Sequence, residues 1–152
     1  MKVHKVTRRN GDTYDVILDN EFIVDRGIHI VKSKNDKVGY AKMMVNGKDT
    51  FVHRIVLGVT DSKIKVDHKN GNTLDNRKDN LRIVTTSQNG LNRKAKGVYY
   101  NKVNKTWIAT IHFNGKHTYI TSNKNKEIAM KAYQKKHAEL FGEFSPWKGE
   151  YK

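Results

Sequence analysis

Four side chains in the middle of the sequence have types and a spacing that chemistry could use. Asp67 and His68 are adjacent, Asn80 follows thirteen positions after Asp67 and Asn89 twenty-two after it, all within VDHKNGNTLDNRKDNLRIVTTSQN, residues 66–89. A carboxylate and an amide oxygen are hard donors suited to one Mg²⁺ or Mn²⁺ ion. Two protein ligands leave the other positions to waters and substrate oxygens, as Mg²⁺ prefers. An imidazole titrates near neutrality and can take a proton from water. Such a set suits hydrolysis of a phosphodiester, which needs an activated water and positive charge against the phosphate and the leaving oxygen. Taken alone, an Asp-His pair in an Asn/Gly-rich stretch is more often turn chemistry, and Asn70, Asn72, Asp75 and Asn76 read that way. The fixed spacing of four residue types in one frame of secondary structure sets the other four apart.

That frame is strand, loop, strand, helix. Ile64 to His68 reads as a strand, Lys69 to Asp79 as a loop, and Leu81 to Val84 as a second strand. A helix then starts at Thr85, with Gln88 three residues on as a capping box, and runs to about Lys94, weakened by Gly90. Neighbouring side chains on a strand alternate faces, so Asp67 and His68 can serve metal and water separately. Upstream, His53 to Gly58 reads as a short helix stopped by glycine. His53 there reads as a residue that packs against or braces the motif. Residues 3–52 read as short strands: Val3 to Val6 and Tyr14 to Leu18 around Asn10-Gly11, then Ile28 to Val31, and Tyr40 to Val45 with Thr50 to Val52 around Asn46-Gly47. Asn-Gly between alternating segments signals a hairpin, since both residues tolerate positive φ. This part carries no evident chemistry of its own.

Charge says what the site would act on. Across 152 residues, 30 Lys and Arg stand against 15 Asp and Glu, a formal net charge of +15. A balance this basic points to a polyanion, most often nucleic acid. Residues 1–84 hold 17 basic and 11 acidic side chains, a surplus of 6, and residues 85–152 hold 13 and 4, a surplus of 9. The second part is thus the larger contributor to phosphate attraction, and the strands of residues 3–52 would pack on the central unit and widen a DNA contact. The sequence has no cysteine, which excludes disulfides, thiolate-bound zinc and a Cys nucleophile. No apolar run has the length of a membrane span, and the start lacks the apolar core of a signal peptide. The expectation is a soluble, cytoplasmic protein.

Residues 66–89 resemble the HNH nuclease motif, the ββα-metal fold, in the variant ending on Asn that phage and intron homing endonucleases carry. His53-Arg54 in VHRIVLG resembles the helix preceding the motif in those proteins. The resemblance implies that His68 activates water and that Asn80 braces the loop and orients His68. It implies that Asp67 and Asn89 bind one divalent metal stabilising the leaving 3′ oxygen, with 5′-phosphate and 3′-hydroxyl products. Arg54, Arg82 and Arg93 could each reach phosphate or be solvated surface charge; Arg93, one helical turn beyond Asn89, is the strongest of the three.

From Gly97 the pattern changes. Val98 to Asn101, Trp107 to Phe113 and His117 to Thr121 read as strands, the last two joined at Asn114-Gly115. A helix follows, N-capped by Asn125 and ending near Phe141 with Gly142 as its C-terminal cap. Ile128, Ala129, Ala132, Tyr133 and Leu140 can form its apolar face. Alternation puts Val98, Tyr100, Trp107, Ala109, Ile111, Thr118 and Ile120 on one sheet face, toward that helix. Tyr99, Asn101, Thr110, His112, His117 and Tyr119 fall on the other, with Lys102 and Lys105 in the turn, a surface suited to a DNA groove. GVYY, WIATI, GKHTYI, EIAMKAY and GEF, between residues 97 and 144, resemble the plant ethylene-response-factor (Apetala-two) DNA-binding domain, which reads DNA with its outer sheet face. Plant domains carry mostly Arg and Trp there, so base specificity does not carry over to the Tyr and His of this chain.

The expectation is therefore an α+β protein: N-terminal antiparallel strands, a central ββα-metal unit, and a C-terminal three-stranded antiparallel sheet packed on one helix. Residues 1–95 would hold the strands and the nuclease motif (64–95), residues 96–147 the DNA reader, and 148–152 a tail. RKAK, residues 93–96, is the one boundary signal, and Lys96 joins the expected DNA contacts. The expected activity is site-selective cleavage of double-stranded DNA, of homing type, with one Mg²⁺ or Mn²⁺ per site. One motif gives one active site, so a monomer would nick or cut sequentially, with a dimer as the alternative. A DNA-binding regulator on a non-catalytic scaffold and a nonspecific nuclease are the competing readings.

Overall fold

The computed structural model describes residues 1–24, 27–33, 38–92 and 97–151. They form two compact units, Met1–Asn89 and Gly90–Lys152. The architecture is mixed α+β, with every paired strand of the four sheets antiparallel. The RKAK segment lies outside the described residues, and with it Arg93 and Lys96.

In the first unit, β1 (Lys2–Thr7) and β2 (Thr13–Leu18) make a hairpin, and β3 (Ile28–Val31), β4 (Tyr40–Val45) and β5 (Lys48–Phe51) a meander. Asn46 and Gly47 both take positive φ, 47° and 75°, as a two-residue hairpin turn demands. α1 (Val52–Val56) follows at once, one residue earlier than the sequence predicts, because Val52 is drawn into the core, fully buried. Next come β6 (Lys65–His68), β7 (Leu81–Val84) and α2 (Thr86–Leu91), the ββα order read from the sequence. The capping box is present in full: Thr85 N–H donates to Gln88 Oε1 at 2.8 Å, and Gln88 N–H to Thr85 Oγ1 at 3.2 Å.

One core joins the N-terminal strands to the loop of the motif. Val16, Leu18, Ile30, Ala41, Met43 and Val52 pack with Leu74, which comes from the β6–β7 loop. The backbone seals the junction: Ile17 N–H donates to Leu74 C=O at 2.9 Å and Asn76 N–H to Ile17 C=O at 2.8 Å. Asp19 adds a side-chain bond, accepting from Lys78 N–H at 2.7 Å. The N-terminal strands thus hold the β6–β7 loop in place.

In the second unit β8 (Val98–Asn101), β9 (Thr106–Phe113) and β10 (Lys116–Asn123) form a sheet with β9 in the middle, and α3 (Lys126–Phe141) packs on it. Asn125 Oδ1 accepts from Glu127 N–H at 2.8 Å and caps α3. The buried stripe of α3 is Ala129, Tyr133 and His137, spaced four apart. Ile128, expected on the apolar face, lies off that stripe and is half exposed. Thr118, expected on the inner sheet face, is exposed, and a register break between Tyr119 and Thr121 interrupts the alternation beyond it. The closing residues fold back onto the unit. Trp147 is buried in its core, Ser145 Oγ lies 2.9 Å from His137 Nδ1, and Tyr151 O–H donates to Gln134 at 2.8 Å.

Candidate active site

Asp67 and His68 end β6, both buried, and lead to different neighbours. Asp67 sits directly across the ladder from Arg82, whose Nε and Nη2 both donate to Asp67 Oδ2, at 2.9 and 2.7 Å. Both side chains are 9% exposed, so this is an interior ion pair rather than a surface one. Arg82, expected as a phosphate contact or a solvated surface charge, directs its guanidinium onto this carboxylate. Arg54 in α1 bonds the carbonyls of Ile64, at 2.9 Å, and of Asp61, tying the segment before β6 to α1.

His68 faces inward on a ring cluster. Its imidazole stands edge-on to His53, centroids 5.2 Å apart, and Tyr40 lies 6.3 Å away. His53 is stacked on Phe51 at 5.2 Å. Nε2 of His68 lies 3.4 Å from Asn76 Oδ1. Burial lowers the His68 pKa below 6.5, opposed in part by the Asn76 bond and the charges of Asp67 and Asp75. Burial thus favours the neutral form, the form in which an imidazole can accept a proton. His53 is lowered to about 4, by burial first and then by His68 and Arg54. Its Nδ1 is the one buried side-chain polar atom among the described residues with no partner. The expectation that His53 packs against the motif matches these ring contacts.

Asn80 is buried and spans the loop. Its Oδ1 accepts from Asn70 N–H at 3.1 Å, its Nδ2 donates to Asp75 C=O at 2.7 Å, and its own carbonyl accepts from Lys69 N–H at 2.8 Å. Asn70 and Asp75 are thereby tied to the Asn80 side chain, and Lys69 to its backbone. Asp75 and Asn76, read from sequence as turn residues, are fully buried. Asp75 takes a two-pronged bond from Arg77, at 2.8 and 2.6 Å, and one from Asn70 at 2.8 Å, and Arg77 above all holds its carboxyl below the usual range. Their burial depends on the contact of the loop with β2, 57 or more positions upstream, so no local pattern announces it.

Asn89 lies in α2, half-buried, its N–H bonded to Thr85 C=O at 2.9 Å. Among the described residues no three His, Asp or Glu side chains gather as a metal cluster. Asp67 and Asn89 supply hard oxygen donors only, and that donor chemistry fits Mg²⁺ or Mn²⁺ better than a soft metal. A cleft of about 400 Å³, lined by Tyr40, His53, Arg54, Lys65 and Val66 among others, borders β6 one residue before Asp67.

In the second unit the strand register places Tyr99 opposite Ile108, Tyr119 opposite Thr110, His117 opposite His112 and Asn101 opposite Thr106, all on one sheet face. Tyr99 and Tyr119 are 52% and 62% exposed, and the His112 and His117 rings lie 4.8 Å apart. Asn101 is partly engaged locally, its Oδ1 accepting from Val103 and Asn104 N–H, while Lys102 and Lys105 are exposed in the same turn.

Residues 51–91 match the family model described as HNH endonuclease. The chain is also 34% identical over 100 residues to an uncharacterized HNH endonuclease of Acanthamoeba polyphaga mimivirus, an alignment covering 62% of this chain and 53% of that protein. The chain thus spans about half the length of the curated relative it matches. No solved structure matches it.

Proposed function

We propose that the chain is a metal-dependent DNA endonuclease of HNH type, of site-selective homing character. The observation that carries the reading is the burial of His68 beside Asp67 at the end of β6, inside the stretch that matches the HNH endonuclease family. In this reading His68 accepts the proton of the attacking water. Asp67 and Asn89 would hold one Mg²⁺ or Mn²⁺, which supplies positive charge against the scissile phosphate and the leaving oxygen. Asn80 keeps the loop closed, so that the imidazole is presented in one orientation. Arg82 balances the Asp67 carboxylate within the protein interior. The products would be 5′-phosphate and 3′-hydroxyl ends.

DNA would be gathered by the basic surplus and read by the second unit. Tyr99, Thr110, His112, His117 and Tyr119, with Asn101, Lys102 and Lys105, form a sheet face rich in polar groups that would meet a DNA groove. Arg54, Arg93 and Lys96 complete the proposed contacts. With one motif per chain, a monomer would nick or cut sequentially, and a dimer is the alternative.

Incubation of a randomised DNA library with Mg²⁺, with ends mapped on both strands, tests this. The expected result is 5′-phosphate ends clustered at a few sequences, lost on chelation. His68→Ala is expected to abolish cleavage while leaving DNA binding intact, and Asp67→Ala to abolish cleavage and weaken metal binding. Wild-type cleavage rates in His68→Ala would sink the assignment. Cuts scattered without preference would leave a nonspecific nuclease, and binding without any cleavage a regulator.

A further inference from the structure

We propose that His112 and His117 form a two-imidazole site for a borderline transition-metal dication, Zn²⁺ or Ni²⁺, on the outer face of the second sheet. The site goes beyond the proposed endonuclease and requires neither its chemistry nor its DNA contacts.

The β9–β10 hairpin puts the two side chains together. Its turn is Asn114 and Gly115, both at positive φ, 50° and 76°. Phe113 and Lys116 flank the turn as the first rung of the ladder, and His112 faces His117 on the second. The rung beside a two-residue turn carries the hydrogen bonds that close it. Antiparallel rungs alternate, so the second is of the kind without hydrogen bonds, in which facing side chains approach most closely. β9 is also the middle strand of its sheet, so His112 stands on backbone paired on both sides.

The spacing of the rings suits a shared ion. A zinc-bound imidazole nitrogen lies about 2.0–2.1 Å from the metal, which puts the ring centre about 3.2 Å away. Two rings on one ion then have centres about 4.5 Å apart at a right angle and about 5.2 Å apart at the tetrahedral angle. The His112 and His117 centroids are 4.8 Å apart, within that interval, and the rings are tilted by 55° rather than stacked in parallel.

Both residues are exposed, so an ion can arrive from solvent and complete its shell with water. Among the described residues neither imidazole has a hydrogen bond or an ion pair, and the one ring that each touches is the other. Binding would therefore break no bond of that kind. No three His, Asp or Glu side chains gather among the described residues, so no described carboxylate joins the pair. Two nitrogens without a carboxylate select against Mg²⁺, which takes oxygen, and favour ions that accept imidazole. The donor set is thus the opposite of the oxygen pair on Asp67 and Asn89.

The test is ¹H–¹⁵N NMR of the histidine side chains in the full chain, assigned residue by residue, with Zn²⁺ added and DNA absent. Following each residue separately keeps this site apart from any metal taken up near His68. Zn²⁺ is expected to move the His112 and His117 signals along one saturation curve. Their common midpoint should lie well below that of His4, which faces Val16 across its ladder and has no second imidazole opposite. In His117→Ala the midpoint for His112 should rise by about tenfold or more, because the second ligand no longer acts within the same molecule. His112→Ala should do the same to His117. Mg²⁺ at the same concentrations should leave both signals in place. Separate midpoints for the two residues, or a midpoint no lower than that of His4, overturn the proposal in wild-type protein alone. So does a His112 midpoint unchanged by His117→Ala. Absence of cleavage would count against the nuclease reading and leaves this titration unaffected.

Discussion

At the scale of single residues, the site is a set of buried polar groups, most of them hydrogen-bonded within the protein. The Asp67–Arg82 pair is the costliest to break, because removing one partner leaves a buried charge uncompensated. Arg82→Met is expected to lower stability by about 3 kcal/mol in urea denaturation; a loss within a few tenths of a kcal/mol would mean that Asp67 is solvated after all. His53 makes a prediction in pH. Its folded pKa, about 4, lies below the unfolded 6.5, so the unfolded chain binds the proton more tightly between those values. The stabilisation is fully present above pH 6.5 and is lost as pH falls toward 4, to the extent of about 3 kcal/mol for this one group. Melting temperatures should therefore drop across that window, and His53→Phe should make the drop shallower. An unchanged slope in that variant would remove His53 from the account.

At the scale of elements, the β6–β7 loop is the part whose shape matters and the part least able to keep it alone. It is rich in Asn, Gly and Asp, yet it inserts Leu74 into the core of the N-terminal strands and pairs with β2 along Ile17. Leu74→Ala removes most of a side chain that is 4% exposed, and is expected to cost about 3 kcal/mol. Urea unfolding of the variant measures that cost. Partial cleavage activity is expected to survive at low temperature, since no group of the proposed chemistry is touched. The same unit shows where periodicity reads well. The Asn46-Gly47 turn, the Thr85–Gln88 capping box and the Asn125 cap are all legible in the sequence, because each is settled within four residues of chain. Ile128 was misplaced because a helix face is chosen by what it packs on: the sheet takes Ala129, Tyr133 and His137 and leaves Ile128 outside.

At the scale of the whole molecule, charge is the dominant property, a net +15 with the larger surplus in residues 85–152. DNA affinity should fall steeply with salt, by a log–log slope of about 0.9 for each phosphate neutralised on duplex DNA. Titrations at several salt concentrations read the slope directly, and an affinity flat from low to high salt would undo the electrostatic argument. Two units also divide the work proposed for them, chemistry in Met1–Asn89 and base reading in Gly90–Lys152. His112→Ala with His117→Ala should then alter the choice of cut site more than the rate at a given site, as measured on the mapped library.

The sequence by itself determined the parts that are local. Residue type and spacing name Asp67, His68, Asn80 and Asn89, strand alternation selects the exposed face of the second sheet, and the charge balance names a polyanion. Tertiary structure decided what surrounds those residues. Arg82 faces Asp67 only because β6 and β7 pair in a register that sets them opposite. His53 reaches His68 only because α1 folds back after β5, bringing together rings fifteen positions apart. Asn76 looks like one more turn residue until β2 closes over the loop and buries it against the imidazole. Turn, cap and strand propensities act over a few residues and can be read in order. The burial of a polar group depends on what arrives from elsewhere in the chain, and only the fold brings those partners together.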